Sequence, residues 1–212
     1  MYAIITDGSI SKYINHPKSL VIGDVRYPAK IFSLWTASEL AAIGILEVTF
    51  DDSKKKDETY YINTNQTYTY DADAGTVTAA YGNATAKAHA DATWTQDEID
   101  DGDAPTGADT DTIKMRGLKY NFIQNIKQQA ERLLNQTDWY VTRKADKNTS
   151  IPSAVTTWRN GIRTKQAAIE TLITNASNTA AIETLYTYVN TADEGDPVVM
   201  ERPLGEFPEL GS

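Results

Sequence analysis

The apolar residues of this chain change their period once, and the change falls across a block of acid. Upstream of residue 91 they come in short runs punctuated by Gly, Pro, Asn and Asp, and in places they alternate with polar residues. Downstream of residue 112 they recur at three- and four-residue steps: Met115, Leu118, Phe122, Ile126, Ala130 and Leu133. Alternation belongs to strands and a three-to-four step to one face of a helix. Between the two lie Asp91, Asp97, Glu98, Asp100, Asp101, Asp103, Asp109 and Asp111, with no Lys or Arg over residues 91–112. This layout predicts an α+β protein. A small N-terminal antiparallel β unit with one short helix is expected over 1–90, an acidic linker over 91–112 and a helical bundle or hairpin over 113–192. An extended tail follows over 193–212, where Pro197, Pro203 and Pro208 exclude regular helix.

In the first part, Ala3-Ile4-Ile5 and residues 10–14 flank Asp7-Gly8-Ser9, a tight-hairpin signal because glycine accepts positive φ. Leu20-Val21-Ile22 reads as a further strand, and Tyr27-Pro28 breaks the pattern. Thr36-Ala37-Ser38-Glu39 spells a capping box, in which the first and last residues satisfy orphan amides at a helix start. Gly44 is a natural stop for that helix. Strands are then predicted over 45–50, 59–62 with 66–70, and 76–81, with turns short enough for an antiparallel meander. Tyr60, Tyr61, Tyr68, Tyr70 and Tyr81 are expected to pack across strands. The alternative is a sugar- or protein-binding tyrosine face.

In the last part, helices are predicted over 112–135, after Pro152 with Val155, Trp158, Ile162, Ile169 and Leu172 on its stripe, and after a Thr179 cap with Ile182, Leu185, Tyr186 and Val189. The first of them is expected to stop at Thr137-Asp138-Trp139, with Asp138 accepting amide hydrogen bonds at the chain reversal. That would place Trp139 and Trp158 at the two ends of one helical hairpin. Trp158 is expected in the core. For Trp139, core and docking stand level. The docking reading groups Trp139 with Tyr140, Arg143, Arg159 and Arg163, because Trp, Tyr and Arg are the usual interface anchors.

Most reaction chemistry is missing its residues. With no cysteine there is neither a disulfide, a thiolate metal site nor a cysteine nucleophile. His16 and His89 lack the partners of a zinc site or a catalytic triad, and no Gly-rich loop precedes a Lys-Ser/Thr pair. Asp100-Asp101-Gly102-Asp103 offers oxygen ligands but fails the spacing of a calcium loop, and nothing singles out a carboxylate pair for glycoside hydrolysis. The expectation is a non-enzymatic protein with no catalytic residue, cofactor or metal. The net charge of −9 is mostly local: the acidic block carries eight acids, and the other 21 acids face 20 bases. Such a block repels nucleic acid and anionic membranes, so neither is expected as a partner. Residues 1–7 lack a basic leader and no run approaches a membrane span. A cytoplasmic site of synthesis is therefore expected, with the sequons at Asn65, Asn83, Asn135, Asn148 and Asn175 unglycosylated.

The run Leu133-Leu134-Asn135-Gln136-Thr137-Asp138-Trp139, with Ile151-Pro152 and Trp158-Arg159-Asn160-Gly161-Ile162-Arg163 behind it, resembles the C-terminal segments of tail fibre assembly and tail assembly chaperone-like proteins of tailed bacteriophages. The resemblance covers residues 127–165, and on it Thr137, Asp138, Trp139, Arg159 and Arg163 fall on recurrent positions. It departs at residues 144–150, a longer and more polar loop than the family's spacer, and in the N-terminal part. Tyr27-Pro28 and Leu34-Trp35-Thr36-Ala37-Ser38-Glu39-Leu40 are similar to words in marine phage tail-region proteins. The resemblance implies a virion structural protein associated with tail or tail fibre. Its partners would be other phage tail, fibre or virion subunits in an oligomeric context, and its locations the virion and, during assembly, the host cytoplasm. The alternatives are a tail fibre assembly chaperone absent from the mature particle, or a receptor- or glycan-binding module.

Overall fold

A computed structural model describes residues 1–211; Ser212, the last residue of the expected tail, lies outside the described residues. The fold is α+β and consists of two compact units, Met1–Thr85 and Ala86 onward.

The first unit opens with the hairpin of β1 (Tyr2–Thr6) and β2 (Ser9–Ile14). Asp7 and Gly8 at its tip have φ of 51° and 74°, the double positive that a two-residue turn between twisted strands requires. A second hairpin, β3 (Leu20–Ile22) with β4 (Val25–Tyr27), ends at Pro28. One turn of helix, α1 (Ile31–Leu34), precedes α2 (Ala37–Ala42). The capping box forms as expected: the Thr36 hydroxyl accepts the Glu39 amide at 3.3 Å, and the Glu39 carboxylate accepts the Thr36 amide at 2.7 Å. The Thr36 amide, joined by the Thr36 hydroxyl donating to the same carboxylate at 2.9 Å, holds the Glu39 carboxyl below its ordinary pKa. Gly44 stops the helix with φ +76°, and its carbonyl accepts the Ile5 amide at 2.7 Å, so the stop also starts the sheet.

From there run β5 (Ile45–Asp51), β6 (Tyr61–Ile62), β7 (Thr67–Asp71), β8 (Thr76–Ala80) and β9 (Thr85–Ala86). The main sheet has the order β2-β1-β5-β8-β7, which is not the expected meander. β8 lies parallel to β5, with Val48 opposite Val77 and Asp51 opposite Ala80. The chain between them is long enough for a crossover, which parallel pairing needs. Burial decides the order: Val77 and Ala79 of β8 are fully buried and take the inner position, whereas β7 keeps Tyr68 and Tyr70 half-buried at the edge. The short β6 leaves this sheet and pairs with β9. Side chains pack on both faces, Ile4, Ile14, Leu20, Ile31, Leu40 and Ile45 in one cluster and Ala3, Val48, Val77 and Ala79 in another. Tyr60 and Tyr61 are buried, and the Tyr13 and Tyr68 rings meet at 4.7 Å, so these tyrosines serve packing.

The second unit begins where the sequence suggests a plain acidic linker, and there it is folded. β10 (Ala92–Thr93) pairs antiparallel with β11 (Ile113–Met115), enclosing α3 (Gln96–Asp100). A second capping box, Thr95 with Glu98, starts α3 in spite of the charge. Glu98 meets Lys114, and Asp91 meets Arg116 at 2.6 Å, so bases just beyond the block close it. The helix expected from residue 112 therefore begins later, as α4 (Leu118–Asn135), and Met115 lies exposed on β11 instead of on the helical stripe.

The start of α4 is closed by the chain before it. Asp91 Oδ1 accepts the Gly117 amide at 2.7 Å, while the Ala88 and His89 carbonyls accept the Leu118 and Lys119 amides, each at 3.0 Å. These are the amides a helix start leaves orphaned. The approach is so close that a Cβ on Gly117 would stand 2.3 Å from the Ala90 carbonyl oxygen. Gly117→Ala is expected to cost about 1–3 kcal/mol, the range for forced overpacking, read in a denaturant titration of the full chain. An unchanged midpoint would refute the close approach. The Gly117 amide, opposed by partial burial and aided by Arg116, holds the Asp91 carboxyl below its ordinary value. For a lowered carboxylate the stabilisation is complete above the unfolded pKa, about 3.9, and is lost as pH falls through the lower folded value. The expected result is that exchange protection of the Gly117 amide holds from neutral pH to about 4 and declines below it. Decline centred at pH 6 would exclude Asp91 as the cause.

The remaining elements are α5 (Asp138–Lys147), α6 (Ser153–Asn175), α7 (Thr179–Tyr186), β12 (Val189–Asn190) and β13 (Met200–Glu201). α4 and α6 face one another through Ile126, Ala130, Trp158, Ile162, Ile169 and Ile173. Three local expectations shift. Asn178, not Thr179, caps α7 by accepting the Ala181 amide, and the Thr179 hydroxyl donates to the Lys87 carbonyl at 2.6 Å. Ile173 is buried where Leu172 was expected, and Val189 sits exposed on β12. The tail is not a free extended strand. β13 pairs with β12, Leu204 is fully buried among Ile126, Ile169 and Ile173, and Phe207 packs against both helical clusters. Prolines forbid helix there but leave two apolar anchors.

Candidate functional site

The resemblance segment folds as the junction of three helices. α4 ends at Asn135, and Thr137-Asp138-Trp139 opens α5 instead of closing α4, so Trp139 and Trp158 do not mark the ends of a two-helix hairpin. Arg159, on the buried face of α6, holds the junction. Its Nη1 donates to Thr137 Oγ1 at 2.7 Å and to the Leu134 carbonyl at 2.8 Å, and it lies 2.8 Å from Asp138 Oδ1. Asp138 thus takes a guanidinium where amide hydrogen bonds were expected, a natural outcome when a buried cation needs its charge met. Thr137 and Arg159 are buried, whereas the Asp138 side chain is half exposed. An acid in the first turn also favours the α5 dipole.

The clasp fixes what α5 presents. None of the residues of α5 is buried. Trp139, 51% exposed, stacks on Tyr140 with ring centroids 3.7 Å apart. Arg143, one turn on, lays its guanidinium 4.9 Å from the Trp139 ring and 5.1 Å from that of Tyr140. Its Nε is shielded from solvent and, among the described residues, has no hydrogen-bond partner. A π surface with a guanidinium across it is suited to binding.

Trp158 lies in the core as expected, its Nε1–H donating to the Pro208 carbonyl at 2.8 Å. Thr137, Asp138 and Arg159 come together as the clasp, and Trp139, Tyr140 and Arg143 as a platform in which Trp139 is exposed and the other two are half-buried. Arg163 lies a turn further along α6, exposed, with Nη1 3.5 Å from Asn160 Oδ1. An apolar patch escaped the sequence reading: Tyr188, Val189, Val198, Val199 and Met200 are exposed on and beside β12 and β13. The run Val198-Val199-Met200 after Pro197 was its signal.

Elsewhere, a hollow of the first unit bordered by Phe32, Trp35, Leu40 and Thr49 has Tyr2 and Glu47 as its ionisable lining groups. Among the described residues no three His, Cys, Asp or Glu side chains converge as a metal site, and no helix is long and apolar enough to cross a membrane. No family model, curated protein or solved structure matches the chain.

Proposed function

We propose that this chain is a non-enzymatic structural protein of a tailed-bacteriophage particle, associated with tail or tail fibre, that holds other subunits through its helical unit. The observation that carries the proposal is the α5 platform. A rigid clasp orients a short helix whose Trp139, Tyr140 and Arg143 remain outside the core, where such side chains serve as interface anchors. The same stretch bears the resemblance to phage tail assembly proteins, which supplies the biological setting. The glycan-binding alternative has less support, because the sheet tyrosines are engaged in packing.

Mass spectrometry of purified particles tests the proposal, alongside affinity capture of the chain from infected cells. Expected are peptides of this chain in the particle and co-capture of tail or fibre subunits. Trp139→Ala should reduce that capture roughly 30-fold, the size of a hot-spot loss. Co-capture without particle peptides would instead support an assembly chaperone that leaves before completion. Absence of its peptides from the particle would sink the virion reading, and absence of both peptides and co-capture would sink the assembly role as well.

A further inference from the structure

We infer that the platform on α5 docks the acidic arm of a second copy of this chain, so that copies join head to tail. The inference rests on the proposed assembly role and names a partner for its surface. Charge complementarity carries it. On the arm, Asp97, Asp100, Asp101, Asp103, Asp109 and Asp111 are exposed, and among the described residues none of the six is in an ion pair. Around the platform, residues 132–163 carry six bases (Arg132, Arg143, Lys144, Lys147, Arg159 and Arg163) against two acids (Asp138 and Asp146), hence +4. Arg159 and Asp138 satisfy each other, and Lys144 and Lys147 stand exposed beside the aromatic pair.

Geometry makes the contact intermolecular. The arm is tied to the start of α4 through Asp91, Arg116 and Gly117, and the platform follows directly on its end. The 18 residues of α4 set its two ends about 27 Å apart, with the arm attached at one end and the platform following the other. That is about three times the screening length of physiological salt, so charges held at the two ends are screened from one another within a molecule. Opposite surfaces at opposite ends make a heterologous contact, which repeats from copy to copy until it closes a ring or extends a filament. Trp139 and Tyr140 supply the apolar centre, and the lysines and aspartates steer encounter and register.

Sedimentation velocity of the full chain tests this at ionic strengths of about 0.01 M and about 1 M, where the Debye length is about 30 Å and 3 Å. The expected result is a mass that rises with protein concentration at low salt and falls to the 23.4 kDa monomer at high salt. Two surface double variants separate the faces: K144E/K147E on the platform and D103N/D111N on the arm. Each alone should weaken association at least roughly tenfold. Mixed, they retain one intact platform and one intact arm, and should form a 1:1 complex that grows no further. Circular dichroism matching the parent confirms that each is folded. A wild-type chain that stays monomeric at low salt, association indifferent to either pair, or a mixture that stays monomeric would each overturn the inference. The assembly role fails separately: a self-associating chain that is absent from particles and captures no tail or fibre subunit keeps this contact and loses that role.

Discussion

Arg159→Met is expected to destabilise the helical unit by about 2–3 kcal/mol and to release α5 while α4 and α6 stay paired. One buried guanidinium serves three acceptors on three consecutive structural pieces: the Leu134 carbonyl at the end of α4, the Thr137 hydroxyl between helices and the Asp138 carboxylate in α5. Methionine keeps most of the apolar stem and removes all three contacts. Stripping one partner from a buried pair costs about 3–5 kcal/mol. The figure is reduced here because half of the Asp138 side chain already meets solvent, and water can compensate its charge. α5 buries no residue of its own, so its attachment depends on this cluster more than on packing. Denaturant unfolding gives the loss, and amide exchange locates it: α5 should exchange early, with α6 still protected. A loss below about 0.5 kcal/mol, the scatter of neutral surface changes, would show that the clasp does not hold α5.

Leu204→Ala is expected to cost about 3 kcal/mol, within the 2–5 kcal/mol range of buried leucine truncations. The residue comes from a Pro-flanked segment yet is fully buried against Ile126, Ile169 and Ile173. Its amide donates to the Leu185 carbonyl at 3.1 Å, which holds the backbone in place and limits collapse of the cavity. Val198→Ala supplies the comparison from the same segment: Val198 is 70% exposed, and its truncation should fall within about 0.5 kcal/mol of the parent. Equal losses for both, in the same denaturant titration, would place Leu204 outside the core.

Local, short-range signals in the sequence translated well. The Asp7-Gly8 turn, the Thr36 and Glu39 box and the Gly44 stop depend only on residues within one turn of chain, and each formed as read. The apolar stripe from Leu118 to Ala130 needs no more than periodicity, and it met the stripe of α6. What escaped depends on partners distant in sequence. The parallel seating of β8 against β5 follows from which strand takes the more buried, inner position, and alternation within a strand does not encode that. The acidic stretch looked structureless because its charge masks a Thr-x-x-Glu box and because its neutralising bases, Lys114 and Arg116, lie beyond it. In the candidate site, the residue types pointed to one group of side chains, but its division into a buried clasp and a platform outside the core was not legible in them. Arg159 and Arg163 are both arginines on one helix, and only the neighbour each faces separates them.

The place of Leu204 and Phe207 in the helical cores has a consequence for how the protein is made. During synthesis the stripes of α4, α6 and α7 emerge before the two side chains that seal them. Until those arrive, the part of Ile126, Ile169 and Ile173 that Leu204 covers faces water, the condition in which nascent domains aggregate or recruit a holding protein. The helical unit therefore matures in two acts, a helix pairing along the growing chain and a later closure from its trailing end, and the interval between them is when it is most exposed to a wrong partner.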